Sequence, residues 1–141
     1  MSKRVLVVDD EAASRTGLKA LLESHGYRVE AAASGAEALE KARSFRPAVV
    51  IADLVMPGMD GLELVRSLQE EAPFAVTILL TGQGSIETAV QAMKAGAYDY
   101  LTKPLDIQHL IVLLEKALDR ARIGRSEQVE VLAALVEHRL E

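Results

Sequence analysis

Two hydrophobic periods alternate along this chain. Residues 4–8, 48–52 and 75–80 are short apolar runs rich in β-branched side chains. Their apolar residues fall on consecutive rather than alternate positions, which predicts strands buried on both faces and so a parallel sheet. Residues 27–32 and 98–102 predict two weaker strands of similar length. Between the strands the spacing turns helical. Leu18, Leu21 and Leu22 mark a first helix, and Ala36, Leu39 and Ala42 a second. Leu62, Leu64, Val65 and Leu68 mark a third, and Ile86, Ala89, Val90 and Met93 a fourth. A fifth carries Leu110, Leu113, Leu114, Ala117 and Leu118, all at the i, i+3, i+4 spacing of one apolar face. Gly26, Pro47, Pro73 and Gly96 sit where a helix should end or a strand begin, and Ser34-Gly35 opens the second helix. Five strands alternating with five helices predict a doubly wound α/β fold with right-handed crossovers and helices on both faces of the sheet.

Beyond Arg122 the pattern changes. Ile123-Gly124-Arg125-Ser126 predicts a break in the fifth helix, after which Val129, Leu132, Leu135 and Val136 restore helical spacing. The expected organisation is one domain over residues 1–122 and a helical extension over 123–141. The extension has two readings of equal weight: a seam that pairs with a partner helix as a short coiled coil, or the frayed end of a longer chain.

Composition narrows the function classes. With 141 residues, half apolar and 26% charged, the chain has the balance of one ordinary globule. That excludes a disordered, collagen-like or low-complexity chain. No apolar run approaches the length of a bilayer span, and the start lacks the long apolar stretch of a secretory signal. There is no cysteine, so neither disulfides nor thiolate metal sites enter, and the expected location is cytoplasmic. A net charge of −5 argues against direct binding to nucleic acid.

The chemistry is expected at the carboxyl ends of the strands, where open parallel sheets bind their ligands. The first predicted strand runs into Asp9, Asp10 and Glu11, the third into Asp53, the fourth into Thr81, and the fifth into Thr102, Lys103 and Pro104. Taken singly, each has a plainer explanation as a cap or turn residue. Together they put three aspartates, a hydroxyl and a lysine on one sheet edge. Three close carboxylates repel unless a cation sits among them, and oxygen-only donors suit a hard ion such as Mg²⁺. Metal, lysine and hydroxyl are the groups a transferring phosphoryl needs around its charged oxygens. Asp53, alone at the end of the central apolar strand, is the candidate nucleophile.

Val7-Val8-Asp9-Asp10-Glu11 and Asp53-Leu54-Val55-Met56-Pro57-Gly58-Met59-Asp60-Gly61 carry a resemblance, with Leu80-Thr81-Gly82 and the run from Gly96 to Pro104. The chain resembles the receiver domain of bacterial two-component response regulators over about residues 3–122. The resemblance implies a flavodoxin-like sheet of strand order 2-1-3-4-5. Asp53 then corresponds to the phospho-acceptor that takes phosphate from a sensor histidine kinase. Asp9, Asp10, a carboxylate oxygen of Asp53 and the backbone carbonyl of Val55 correspond to the Mg²⁺ ligands. Lys103 would pair with the phosphoryl oxygens, Thr81 would swing toward them, and Tyr100 would rotate inward behind it. Tyr100 also has the plainer explanation of a half-buried strand aromatic. Pro104 matches a position where the family often has a cis Lys-Pro bond.

The expected output is a change in the surface made by the fourth helix, fifth strand and fifth helix. The stretch from Thr81 to Asp106 is similar to receivers of sigma-54-dependent transcriptional activators, which implies an attached ATPase and DNA-binding output domain. It also implies a homodimer through that surface and the C-terminal helix. Kinase specificity is expected around Arg15, Leu18 and Leu22. Val55 and Gln83 flank the acceptor site, and an apolar Val55 cannot orient a water, so self-hydrolysis of the phosphate should be slow. The chain is read as a switch that catalyses only its own phosphorylation and dephosphorylation, not as an enzyme with a separate substrate. The alternative is a stand-alone or degenerate receiver that acts as a protein-interaction module without phosphorylation. An aspartyl-intermediate phosphatase fits less well, because it would need a spaced Asp-x-Asp after the first strand. A flavin-binding domain would need a phosphate loop there.

Overall fold

The computed structural model describes residues 3–82 and 86–140, with side chains described as far as residue 123. Its elements alternate: β1 (Arg4–Val8), α1 (Ala12–Ser24), β2 (Arg28–Ala32), α2 (Gly35–Phe45), β3 (Val49–Asp53), α3 (Gly61–Glu71), β4 (Val76–Thr81), α4 (Ile86–Ala95), β5 (Asp99–Thr102) and α5 (Ile107–Leu140). The five strands are all parallel, in the order β2-β1-β3-β4-β5.

The consecutive apolar runs behave as expected for strands covered on both faces. Val5, Val7, Val49, Ile51, Ile78 and Leu80 point into one core layer, closed by Leu22 of α1 and by Leu110, Leu114 and Ala117 of α5. Leu6, Val8, Val50, Ala52 and Leu79 point the other way, against Ala38 of α2, Leu64 and Leu68 of α3, and Ala92 of α4. Side chains alternate across a strand, so one five-residue segment feeds both layers. All strands run the same way, which places every strand's carboxyl end on one edge.

Helix starts follow local chemistry. Ser34 caps α2 by accepting from the Glu37 amide at 3.2 Å, and Asp60 caps α3 by accepting from the Glu63 amide at 2.9 Å. Gly26 and Gly96 follow α1 and α4 with φ of 91° and 111°, the left-handed conformation glycine tolerates best.

Two expectations need correction. The predicted break at 123–126 is absent: α5 is one helix of 34 residues. A glycine inside a helix costs about 1 kcal/mol relative to alanine and does not by itself end it. The seam residues Val129, Leu132, Leu135 and Val136 lie outside the described side chains, and Gln83 lies outside the described residues. Leu22 is not a docking-surface residue, since it is fully buried. Its i+4 spacing from Leu18 turns both side chains toward the sheet, and Leu22 reaches the core while Leu18 stays at its margin. No helix among the described residues is long and apolar enough to cross a membrane.

Candidate functional site

The site is assembled where β1, β3, β4 and β5 end. Asp9 continues the β1 line by one residue, its amide donating to the Ala32 carbonyl at 3.1 Å. Its side chain is turned inward and buried; Oδ1 accepts from the Glu11 amide at 2.9 Å. The Arg15 guanidinium reaches back from α1 to the Asp9 carbonyl at 2.7 Å, bracing this turn. Asp10, the next residue, is exposed. Asp53 is the last residue of the fully buried strand β3, in register with Leu80 of β4. The chain turns sharply after it, with the Gly61 amide donating to the Leu54 carbonyl at 2.8 Å. A Cβ on Gly61 would come within 2.6 Å of the Asp53 carbonyl oxygen, so the start of α3 approaches the acceptor strand as only glycine allows.

Asp9, Asp10 and Asp53 each present a carboxylate oxygen within 4.8 Å of the other two. Lys103 Nζ lies 2.7 Å from Asp53 Oδ1. That oxygen is buried, with the Lys103 ammonium as its charged neighbour. Burial pushes the Asp53 carboxyl up to about 6; Lys103 pulls it back, and neighbouring Asp9 adds to the rise. Burial works against the charge on Lys103, but Asp53 outweighs it, with Asp9 and Glu11 assisting, and the lysine titrates above its ordinary value.

Thr81 closes the third side. It is buried at the end of β4, in register with Thr102, and its carbonyl accepts the Lys103 amide at 2.7 Å. The Lys103–Pro104 bond is cis. Tyr100 is half-buried, packed against the layer beneath α2, α3 and α4. Val55 stands 80% exposed in the loop after Asp53.

The structure therefore brings Asp9, Asp10, Asp53, Thr81 and Lys103 to one edge, with Tyr100 on the strand behind. The brace from Arg15 and the close approach of Gly61 went unread in the sequence. Arg15 sits four residues after Glu11, one helical turn in and on the strand-end side, and that spacing was the available signal. The donor set fits a hard cation: three carboxylate oxygens converge within 4.8 Å of one another, and oxygen-only donors suit such an ion. The arrangement sets a buried carboxylate beside an ammonium and next to an acidic pair that could hold a cation.

The family model for the response regulator receiver domain matches residues 5–115. The chain belongs to that family. This receiver is 42% identical over 130 residues to the transcriptional regulatory protein ZraR of Klebsiella oxytoca, covering 92% of the receiver chain and 29% of ZraR. It is 38% identical over 133 residues to the response regulator MprA of Mycobacterium ulcerans, covering 94% of this chain and 57% of MprA. The chain thus spans under a third of the one relative and just over half of the other. Among solved structures, the beryllofluoride-activated NtrC4 receiver domain dimer matches with a TM-score of 0.79 at 38% identity, over 84% of this chain and 98% of that one. The Vibrio cholerae chemotaxis protein CheY4 matches with a TM-score of 0.78 at 34% identity, over 83% of this chain and 99% of that one.

Proposed function

We propose that this receiver accepts a phosphoryl group on Asp53 from a sensor histidine kinase and passes the change to an attached transcriptional output domain. The observation that carries the proposal is the Asp53 carboxylate, buried at the end of the central strand with Lys103 Nζ 2.7 Å away and two further aspartates within 4.8 Å. Asp9, Asp10, Asp53 and the Val55 carbonyl would hold Mg²⁺. Bound there, the ion supplies charge neutralisation for the acidic cluster and for the phosphoryl oxygens.

An Asp53 carboxylate oxygen attacks phosphorus while the P–N bond to the donor imidazole breaks, its electron pair staying on the departing nitrogen. The product is an aspartyl phosphate. Lys103 then exchanges its bond to the bare carboxylate for one to a phosphoryl oxygen. Thr81 turns its hydroxyl to a second oxygen, and Tyr100 packs into the space Thr81 leaves. Both lie on β4 and β5, so their movement reshapes the face formed by α4, β5 and α5. Ile86, Val90 and Met93 of α4 and Val112 of α5 are large apolar residues exposed on these helices, which fits a face that docks a partner or a second copy.

The likeness to ZraR and NtrC4 supports an output module of the sigma-54 activator kind, with an ATPase and a DNA-binding part beyond residue 141. It also supports a cytoplasmic homodimer through the α4–β5–α5 face and the C-terminal helix. In this scheme residues 1–122 are the switch and 123–141 the connection, and DNA contact belongs to the output module.

The test is a phosphate-affinity gel after incubation with acetyl phosphate, with and without Mg²⁺, on wild type and Asp53→Ala. A retarded band that needs both Mg²⁺ and Asp53 is expected. If no condition gives one, the phospho-acceptor reading falls, and a degenerate receiver acting only as an interaction module takes its place.

A further inference from the structure

Two of the three converging aspartates stand on the turn from β1 into α1, where the strand ladder has already ended. Glu11 occupies the N-cap of α1, but its side chain makes no capping bond. Two bonds close the turn, and Asp9 accepts both. Its Oδ1 takes the Glu11 amide at 2.9 Å, and its carbonyl takes Arg15 Nη1 at 2.7 Å. The second bond reaches back from one helical turn inside α1, so the helix itself holds the strand end. Asp10 lies between these anchors, exposed.

A cation beside an acidic cluster ordinarily pairs with the carboxylates, and then occupies the oxygens that a metal ion needs. Lys103 does this at Asp53. Arg15 does not: its half-buried guanidinium spends its bond on the main-chain oxygen of Asp9. Its charge is felt instead by Glu37 of α2, whose carboxyl is held below its ordinary value first by the Ala33 amide and then, more weakly, by Lys41 and Arg15. The arginine therefore grips the backbone under the acidic pair and leaves the carboxylate oxygens open. Such a grip matters here, because like charges within 4.8 Å of one another push apart while no ion is bound.

Resting on the assignment of Asp9 and Asp10 as cation ligands, we infer that Arg15 is a positioning residue for the metal ion: it clamps the turn through the Asp9 carbonyl, so that both carboxylates stay converged with Asp53 before an ion arrives. Two effects of opposite sign can be told apart. As a clamp, Arg15 strengthens Mg²⁺ binding, and losing such an outer partner of a metal ligand costs about tenfold in affinity or more. As a bare positive charge near the site, it would weaken binding, and losing it would tighten the site.

Isothermal titration calorimetry of Mg²⁺ into the unphosphorylated 1–141 chain separates them, on wild type, Arg15→Met, Arg15→Lys and Arg4→Met. Methionine keeps part of the apolar stem and loses the charge and the donors, whereas lysine keeps the charge without the planar fork. Arg4→Met makes the same change of charge and removes the same kind of bond, Arg4 Nε to the Arg46 carbonyl at 3.2 Å, at the other end of β1. The Mg²⁺ dissociation constant should rise about tenfold in Arg15→Met, less in Arg15→Lys, and not at all in Arg4→Met. Labelling of Asp53 by acetyl phosphate should follow: Arg15→Met needs about tenfold more Mg²⁺ for half its maximal rate, and saturating Mg²⁺ restores the wild-type rate. A dissociation constant that is unchanged or lower in Arg15→Met overturns the clamp, and so does a rise that Arg4→Met matches. A rate that stays low at saturating Mg²⁺ also overturns it, since Arg15 would then act beyond placing the ion. All three results leave Asp53 as acceptor wherever wild type is labelled. A wild type that binds Mg²⁺ without being labelled overturns the acceptor reading alone, and one that binds no Mg²⁺ and takes no label overturns both.

Discussion

Asp53 pays for its position when no cation is bound. Three carboxylate oxygens within 4.8 Å face a single described ammonium at Asp53, and burial raises the cost of its charge. Asp53→Asn should therefore stabilise the cation-free protein at pH 7 by about 1–2 kcal/mol, because a neutral amide removes one member of the cluster. Urea unfolding followed by circular dichroism in EDTA reads this directly. Adding Mg²⁺ should stabilise wild type more than the variant and close the gap; a wild type that stays the more stable protein in EDTA would contradict the account. Beside it, Val55 is 80% exposed and offers no group to hold an attacking water. Val55→Asn should shorten the lifetime of the aspartyl phosphate several-fold, as measured by the decay of the retarded band after donor removal, and an unchanged lifetime would refute that role.

How much of this was legible differs from residue to residue. Asp9, Asp10, Asp53, Thr81 and Lys103 could be placed from the sequence because each directly follows an apolar run, and parallel strands send all such positions to one edge. Leu22 was misplaced because helical spacing gives the face but not which of two neighbours on it reaches the core. Arg15 and Gly61 act through the backbone, Arg15 on the Asp9 carbonyl and Gly61 beside the Asp53 carbonyl. Contacts to main-chain atoms leave no complementary residue type elsewhere in the chain to be noticed.

At the scale of elements, the second helix shows how a start is built. Ser34 accepts from the Glu37 amide, and Glu37 Oε2 accepts from the Ala33 amide at 3.0 Å, a reciprocal cap. The bond from Ala33 is the main reason the Glu37 carboxyl titrates below its ordinary value. A carboxylate whose folded-state value is depressed adds stability above its unfolded value, near 4.3, and loses it as pH falls through the lower folded one. Glu37→Gln should thus be less stable than wild type at pH 7, with the difference shrinking below about pH 4; thermal unfolding across that range tests it, and a pH-independent difference would show that the charge is not involved. Serine followed three residues on by glutamate was readable in the sequence as such a cap. The left-handed turn at Arg46, φ 53°, after α2 was not. Its carbonyl accepts from Arg4 Nε at 3.2 Å, 42 residues away in the chain, and no local signal announces so distant a partner.

The whole molecule is a sheet with two core layers and one long helix that outlasts them. Leu110, Leu113, Leu114, Ala117 and Ala121 bind α5 to the core, and the helix then continues to Leu140. If this continuation joins two copies, phosphorylated 1–141 should sediment as a dimer, while a chain ending at 123 should dissociate at concentrations at least tenfold higher. Analytical ultracentrifugation decides this, and equal dimer strength in the two chains would place the contact wholly on the globular part. The sequence suggested an interrupted helix here because glycine is read as punctuation, yet its cost is small beside the helix-forming residues around it.

That unbroken helix has a mechanical consequence. At 1.5 Å per residue, its 34 residues make a rod about 50 Å long, and roughly the last 28 Å lie beyond the final core anchor at Ala121. Its base is separated from Lys103 only by the turn through Pro104, Leu105 and Asp106. A tilt of about 5° at the base would carry the tip through about 4 Å, nearly the pitch of one helical turn. If two such rods pair, a tilt of that size at the base would be enough to bring them into or out of register.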